Sequence, residues 1–173
     1  MKKYIFFLFA CFLLLFSVGC QQKSEEKMKE IPIVHENLTL EQLEKQATIP
    51  YKLPKKLPFE PVEIFAERND YKDLYEKEEQ VEEIYIHYIK TNRDERYLDV
   101  TVSNLEETPP QGESVPLSNG REATYVEDDV GQLLFWNEGE LHYRLIYYTS
   151  DKVNEGQEPL QVEQFTEIAN SFR

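Results

Sequence analysis

The chain has 173 residues, with 33 acids against 19 bases, a formal net charge of −14 and a sequence pI near 4.7. This length suits one modest domain, because domains usually span about 100–200 residues. The acidic balance argues against a nucleic-acid partner, which normally requires a basic face, and against docking of the protein itself on an anionic lipid surface.

The first nineteen residues have the pattern of a signal peptide. Lys2 and Lys3 form a short basic start, and residues 4–16 are apolar and rich in Phe and Leu. The apolar run of about 14 residues is shorter than the roughly 20 that a transmembrane helix needs, which favours a cleaved signal. Residues 1–19 contain no acids, so the remainder has 17 bases, 33 acids and a formal charge of −16.

Residues Ser17-Val18-Gly19-Cys20 resemble a bacterial lipobox, in which the cysteine is acylated and becomes the first mature residue. Ser17 stands where the usual pattern has Leu, so ordinary secretory cleavage is the alternative. Cys11 and Cys20 are the only cysteines. An acylated Cys20 would leave the mature domain without a free thiol, a disulfide or a Cys-based metal site. We therefore expect a lipid-anchored protein on the extracytoplasmic side of the cell membrane.

The segment after Cys20 is polar and charged, which predicts a solvated tether over residues 20–37 and a single domain over residues 38–173. Thr39 and Gln42 have the spacing of a capping box and predict a short helix over residues 40–46. Residues 49–59 contain three prolines, which forbid helix, so this segment is expected to be extended and to pack across the domain.

The next part of the chain has the pattern of antiparallel strands. β-branched and aromatic residues predict strands over residues 62–67, 83–90, 97–102, 115–117, 122–126, 132–136 and 141–148. Polar turns separate them at residues 92–95 and 137–140. Asn119-Gly120, where both turn positions tolerate positive φ, predicts a tight hairpin that pairs residues 115–117 with residues 122–126. The succession predicts a meander, in which each strand pairs with the next.

The last element is predicted to be a helix that begins after Pro159. Its apolar residues fall on one stripe at helical spacing: Val162, Phe165, Ile168, Ala169 and Phe172. Glu163 and Glu167 lie off that stripe. The predicted fold class is therefore α+β, an antiparallel meander sheet with the C-terminal helix packed on one face and a short N-terminal helix.

Five motifs, in this order and spacing, resemble a family of uncharacterised extracytoplasmic domains. The motifs occupy residues 49–54, 117–123, 134–136, 141–145 and 165–171. The family occurs in lipoproteins and in membrane-anchored, anti-sigma-factor-like proteins of Gram-positive, endospore-forming bacteria. The resemblance implies placement in the cell envelope, without an established enzyme activity and without catalytic residues to transfer.

The residue types that carry chemistry form no recognisable catalytic pattern. The histidines are His35, His87 and His142, of which the last two would be neighbours if their strands paired, but no zinc motif accompanies them. Acids at residues 76–83, 106–107 and 128–129 lack the alternation of a calcium loop. There is no nucleophile motif and no phosphate-binding Gly-rich loop. We therefore predict no metal, no cofactor and no enzyme activity.

The tyrosines and the single tryptophan are the remaining candidates for function. Seven tyrosines fall in predicted strands, where Tyr suits a half-buried sheet face, so a packing role is one interpretation. The other is an open binding face for a peptide, glycan or partner domain, with Trp136, Tyr143 and Tyr125 as its candidate residues.

Together these patterns predict a membrane-anchored, non-enzymatic lipoprotein that presents an interaction or sensory domain. Its partners would be the membrane, through the lipid on Cys20, and an envelope protein or peptide, with no nucleic acid. The alternative is a domain that binds a small ligand or a cation through its acidic loops.

Overall fold

The computed structural model describes residues 32–71, 80–91, 97–149 and 157–173. They form one antiparallel sheet of eight strands with two α-helices and a 3-10 turn. The signal peptide, Cys20, most of the tether, the predicted turn at 92–95 and the acids at 76–79 lie outside the described residues. The strands are β1 (Ile33–Leu38), β2 (Glu63–Asp70), β3 (Glu82–Ile89), β4 (Leu98–Ser103), β5 (Glu113–Pro116), β6 (Glu122–Glu127), β7 (Gly131–Glu138) and β8 (Leu141–Tyr148).

The strand order across the sheet is β1-β2-β3-β4-β8-β7-β6-β5. The α+β class and the antiparallel sheet are as predicted, but a single continuous meander is wrong. Two four-strand meanders join where β4 pairs with β8, with Val100 opposite Leu145. Both strands are buried on the core face, so their pairing places two buried strands in the middle of the sheet. The edge strands are β1 and β5, and β5 is short and mostly exposed.

The first strand was not expected. Residues 33–37, predicted as tether, belong to β1, which pairs with β2. Ile33 and Val34 are about half exposed, and polar residues break the alternation that a sequence reading relies on. The folded domain therefore includes more of the chain than predicted.

The two helices have their predicted positions in the chain. Helix α1 (Leu40–Gln46) begins at the predicted capping box: the Thr39 hydroxyl accepts from the Gln42 N–H, and the Gln42 side chain accepts from the Thr39 N–H. Helix α2 (Val162–Asn170) buries Phe165, Ile168 and Ala169. Glu163 and Glu167 are exposed, as the stripe predicted.

Alternate residues of the central strands form the core. On β4, for example, Leu98, Val100 and Val102 are fully buried and belong to one cluster with residues of β3 and β8. We call this side of the sheet the core face. The opposite face is crossed by residues 104–112, which connect β4 to the far edge strand β5; Glu107 in this connection lies 2.6 Å from the Arg144 guanidinium.

A buried ion pair fixes the chain after α1 to the sheet. The Glu82 carboxylate has no exposed surface; its Oε1 accepts from Arg68 Nε at 2.5 Å. Its Oε2 accepts from the Thr48 N–H at 2.9 Å, the Thr48 hydroxyl and the Ile49 N–H at 3.4 Å. Arg68 also donates to Asp70 at 2.8 Å. One carboxylate thus joins β2, β3 and the start of the extended segment.

The hairpin turns differ from each other. Gly139 and Glu140 form a two-residue β7–β8 turn with Gly139 at φ 64°, in the left-handed region that favours glycine. At Asn119-Gly120 the connection is a 3-10 turn over Ser118–Gly120, and only Gly120 has positive φ, at 73°. The predicted hairpin is confirmed, because β5 pairs with β6 and Val115 lies opposite Ala123. Its loop is longer than a tight turn, with the Leu117 N–H bonded to the Arg121 carbonyl at 2.8 Å.

Candidate functional site

The predicted open aromatic face is wrong, because its residues are buried. Trp136 and Tyr143 are each 1% exposed and Tyr125 is 8% exposed. Trp136 and Tyr143 face each other across the β7–β8 hairpin and stack at 5.2 Å. The Phe172 ring meets both edge-on, at 5.1 Å from Trp136 and 5.9 Å from Tyr143. These rings belong to the core, where a large aromatic surface is most stabilising.

Tyr125 has polar partners within the fold. Its hydroxyl donates to Glu127 at 2.6 Å and accepts from the Gln132 side chain at 2.8 Å. Burial, and then the neighbouring Glu127 carboxylate, raises the pKa of Tyr125. Its ring lies edge-on to Phe165 of α2, at 6.4 Å. Tyr125 therefore links the sheet to α2 and offers no open surface.

The histidines are not brought together. His87 pairs across the sheet with Asp99, and Asp99 pairs with Ile146 on β8, whereas His142 pairs with Ser103. His87 is 4% exposed, and its Nδ1 lies 2.8 Å from Asp99 Oδ1. Within the described ranges, no three His, Cys, Asp or Glu side chains are grouped so that they could hold a metal ion.

Two described acids of the predicted acidic clusters have partners inside the fold. Asp128 accepts from the Val130 and Gly131 N–H groups at 2.8 and 3.1 Å, which shapes the turn before β7. Glu107 lies against Arg144. These contacts are sufficient to account for both acids as structural groups.

The strongest candidate site is a cleft at the end of the sheet that carries the β7–β8 turn. Four segments meet there: the extended proline-containing segment, the β5–β6 connection, the β7–β8 turn and the residues at the end of α2. The side chains that line its two adjoining depressions include Lys52, Ser118, Arg121, Asn137, Glu138, Asn170 and Arg173 in the first, and Lys55, Lys56, Glu167, Asn170, Ser171 and Arg173 in the second. We call the two depressions together the cationic cleft.

The larger depression is centred on Glu138 and has a volume of about 790 Å³. The Glu138 carboxylate contacts both Lys52 and Arg121. The Lys52 side chain is 47% exposed and that of Glu138 only 16%. One carboxylate therefore holds two cations at the wall of an open cavity, and Arg121 Nε also donates to the Ser118 carbonyl at 3.3 Å.

Tyr143 connects this depression to the aromatic core. Burial, and then the Glu138 carboxylate, raises the pKa of Tyr143 to about 12, although a hydrogen bond from the Lys52 backbone and the charge of Arg121 act in the opposite direction. The phenol is therefore neutral at physiological pH. Phe172, which lines the depression, packs edge-on against Tyr143 and Trp136 and so joins the cleft to the buried aromatic cluster.

The smaller depression, of about 440 Å³, lies beside the first and shares Asn170 and Arg173 with it. Ser171 organises it: the hydroxyl accepts from the Lys55 and Lys56 N–H groups at 3.0 Å each and donates to the Ile168 carbonyl at 2.7 Å. The Leu53 and Arg173 backbones are paired as in a sheet. These bonds fix the lysine backbones against the end of α2.

The cationic cleft contrasts with the charge of the domain around it. The described ranges contain 22 acids and nine Lys or Arg residues. Five of the nine bases line the cleft, with two acids, Glu138 and Glu167. The cleft side chains therefore sum to +3 in a domain whose described residues sum to −13. Sequence reasoning missed this site, since its cations come from positions 52–56, 121 and 173; the Lys-Leu-Pro-Lys-Lys run at 52–56 was the one visible signal.

In the described part of the chain, none of the helices has both the length and the apolar character required to cross a membrane. Comparison with protein-family models, with curated proteins and with solved structures found no match to this chain. The family resemblance of the five motifs stays a prediction.

Proposed function

We propose that this protein is a membrane-anchored, non-enzymatic lipoprotein whose domain binds a partner or ligand outside the cell membrane. The observation that carries the binding role is the cationic cleft, where four distant segments assemble an open, charged cavity next to the buried aromatic cluster. The anchoring role is supported by the Ser17-Val18-Gly19-Cys20 junction. The lipid on Cys20 would hold the domain at the membrane, and the cleft would supply its specificity.

The cleft favours binding over catalysis by the nature of its side chains. Lys, Arg and Asn side chains donate hydrogen bonds and hold anions, and Arg presents a planar fork of donors. Glu138, its most central acid, is already in contact with two cations. The arrangement supports recognition of a negatively charged group.

The finer architecture belongs to the same proposal. Helix α2 covers the core face of the sheet, supported by the contact of Phe165 with Tyr125 and by the burial of Ile168 and Ala169. The residues after α2 then reach the extended segment, as the Leu53–Arg173 backbone bonds indicate. This order would make α2 the element that brings Arg173 to the cleft.

Two measurements test the proposal separately. Acylation is tested by expressing the full chain and its Cys20→Ala variant, following both in membrane and soluble fractions and measuring the mass of each. We expect the wild-type chain in the membrane fraction with a lipid-dependent mass increase that the variant lacks. Unchanged processing of Cys20→Ala would refute the anchor.

The binding role is tested by crosslinking in native membranes. Wild-type protein and an Arg121→Gln variant are crosslinked, purified and compared. Lys45→Gln is the control, because Lys45 lies on α1 outside the cleft and pairs with Glu41. We expect crosslinked products that form with the wild-type protein and with Lys45→Gln but not with Arg121→Gln. Identical patterns for all three proteins would count against the cleft.

A small-ligand domain is the second candidate, and the volume of the larger depression favours it. A cavity of about 790 Å³ is within the range of about 300–1,000 Å³ of small-molecule sites. Retention of a small molecule through purification, detected by mass spectrometry of the denatured protein, would favour this candidate over a macromolecular partner.

A further inference from the structure

We infer that the cationic cleft binds a compact ligand that carries two or more phosphate groups. The inference names the ligand class for the binding role proposed above, and it does not depend on the lipid anchor. It rests on the charge, the division and the surroundings of the cleft.

The charge of the cleft favours a ligand that carries more negative charge than a single carboxylate. Lys52 and Arg121 already share the Glu138 carboxylate, so a ligand has to compete with a group that is held in place. A phosphate carries a charge of about −1.5 to −2 and three acceptor oxygens, and Arg–phosphate contacts are frequently bidentate. A phosphate can therefore attract both cations in the presence of Glu138, where a single carboxylate gains little.

The division of the cleft into two depressions favours a ligand with more than one phosphate. The two depressions adjoin at Asn170 and Arg173, and each has its own cations, Lys52 with Arg121 in one and Lys55 with Lys56 in the other. Within the described ranges, the side chains of Lys55 and Arg173 have no ion pair, and Lys56 has only the exposed contact with Glu167 at 3.3 Å. A second phosphate would therefore find unneutralised positive charge in the adjoining depression.

The surroundings of the cleft call for a compact ligand. Glu122 and Glu140 are exposed and lie next in the chain to Arg121 and Gly139 of the cleft region, and the described residues as a whole are acidic. A long polyanion that extended beyond the cleft would meet this negative surface and be repelled. A ligand with two or three phosphates can remain inside the cationic region.

The inference is tested by isothermal titration of the full chain in detergent with inorganic tripolyphosphate, and with monophosphate as the size comparison. We expect saturable binding of tripolyphosphate that weakens with increasing salt and is at least about tenfold tighter than that of monophosphate. Arg121→Gln and Lys55→Gln should each weaken it about fivefold or more, whereas Lys45→Gln, with the same change of charge on α1, should leave it unchanged.

Glu138→Gln gives the sharpest readout. It removes the internal carboxylate that occupies Lys52 and Arg121, so tripolyphosphate should bind about threefold or more tightly, although the variant loses two ion pairs. A merely structural role for Glu138 predicts weaker binding or none. Thermal melting of each variant verifies that it is folded under the conditions of the titration.

A parallel titration with dihexanoyl phosphatidylinositol phosphate, a short-chain lipid whose headgroup region carries two phosphates, distinguishes a lipid headgroup from a soluble phosphate source. Binding of the lipid that the cleft variants weaken would assign the headgroup as the source, and preference for tripolyphosphate would assign a soluble one. Absence of binding to both probes, or equal loss with Lys45→Gln, would overturn the inference. Neither result would change the membrane fractionation of Cys20→Ala, so the anchor is judged separately.

Discussion

The buried ion pair between Arg68 and Glu82 is the most exacting place to test how this domain is held together. The two partners are unequal: Arg68 has a second carboxylate, Asp70, at 2.8 Å, whereas every other described partner of the Glu82 carboxylate is a neutral donor from Thr48 or Ile49. We therefore expect Arg68→Met to destabilise the fold more than Glu82→Gln does.

The magnitudes follow from what each variant leaves behind. Arg68→Met leaves a carboxylate with no exposed surface and no cation, which costs about 3–5 kcal/mol of unfolding free energy. Glu82→Gln leaves Arg68 paired with Asp70 and keeps an oxygen toward Thr48, so about 1.5–3 kcal/mol is expected for the loss of a charge-assisted hydrogen bond. The double variant Arg68→Met/Glu82→Gln removes both charges and should cost less than the sum, with a coupling of about 2 kcal/mol.

Urea unfolding followed by Trp136 fluorescence measures these differences. With a slope of about 2 kcal/mol per molar, Arg68→Met should lower the midpoint by about 1.5–2.5 M. Lys45→Gln removes a pair whose partner, Glu41, is exposed. This variant should change the free energy of unfolding by less than about 0.5 kcal/mol. Equal losses in the two single variants, or strict additivity in the double variant, would refute the assignment of Glu82 as a buried charge that depends on Arg68.

Three further predictions concern the core and its surface. Trp136→Ala should destabilise the fold by about 3–5 kcal/mol in thermal or urea unfolding, because the ring is buried between Tyr143 and Phe172; a folded Trp136→Ala protein of unchanged stability would contradict the core assignment. Gly112→Ala should cost about 1–3 kcal/mol, more than Gly139→Ala, because a Cβ at Gly112 would lie 2.2 Å from a backbone oxygen; equal costs in the same assay would refute this packing argument. Alkaline pH should unfold the protein cooperatively: burial raises the pKa of Tyr143 to about 12 from about 10 in an unfolded chain, so its stabilising contribution is complete below about pH 10 and is lost as the pH rises toward 12; phenolate absorbance that rises without loss of structure would contradict it.

Local chemistry made part of this fold predictable. The capping box at Thr39 and Gln42 gave the bounds of α1, and the stripe of α2 identified the buried side of the helix. Both signals depend on neighbours within one or two turns of helix, which the sequence displays directly.

Pairings between distant segments were not predictable in the same way. β4 pairs with β8, whose residues lie about 45 positions further along the chain. From its sequence alone, β4 is equally suited to pair with the next strand, β5. Trp136 and Tyr143 illustrate the same difficulty at the level of a site: their alternation predicts a sheet face, but whether Phe172 covers that face depends on where the chain returns. The cationic cleft was not predictable for the same reason. Its bases are distant in the sequence, and the net charge of the whole chain does not show that they lie together in the fold.

The backbone pairing of Leu53 with Arg173 has a kinetic consequence. It joins positions 120 residues apart, so the cleft closes through one of the longest loops in the domain, and contacts of this range form late in folding. A chain emerging during synthesis would hold Lys52 and Lys55 long before Arg121, and Arg173 last of all. Fraying of the segment after α2 would reverse only that final step, exposing Trp136 to quenchers while the sheet persists. Acrylamide quenching below the unfolding midpoint would therefore report the lifetime of the assembled cleft.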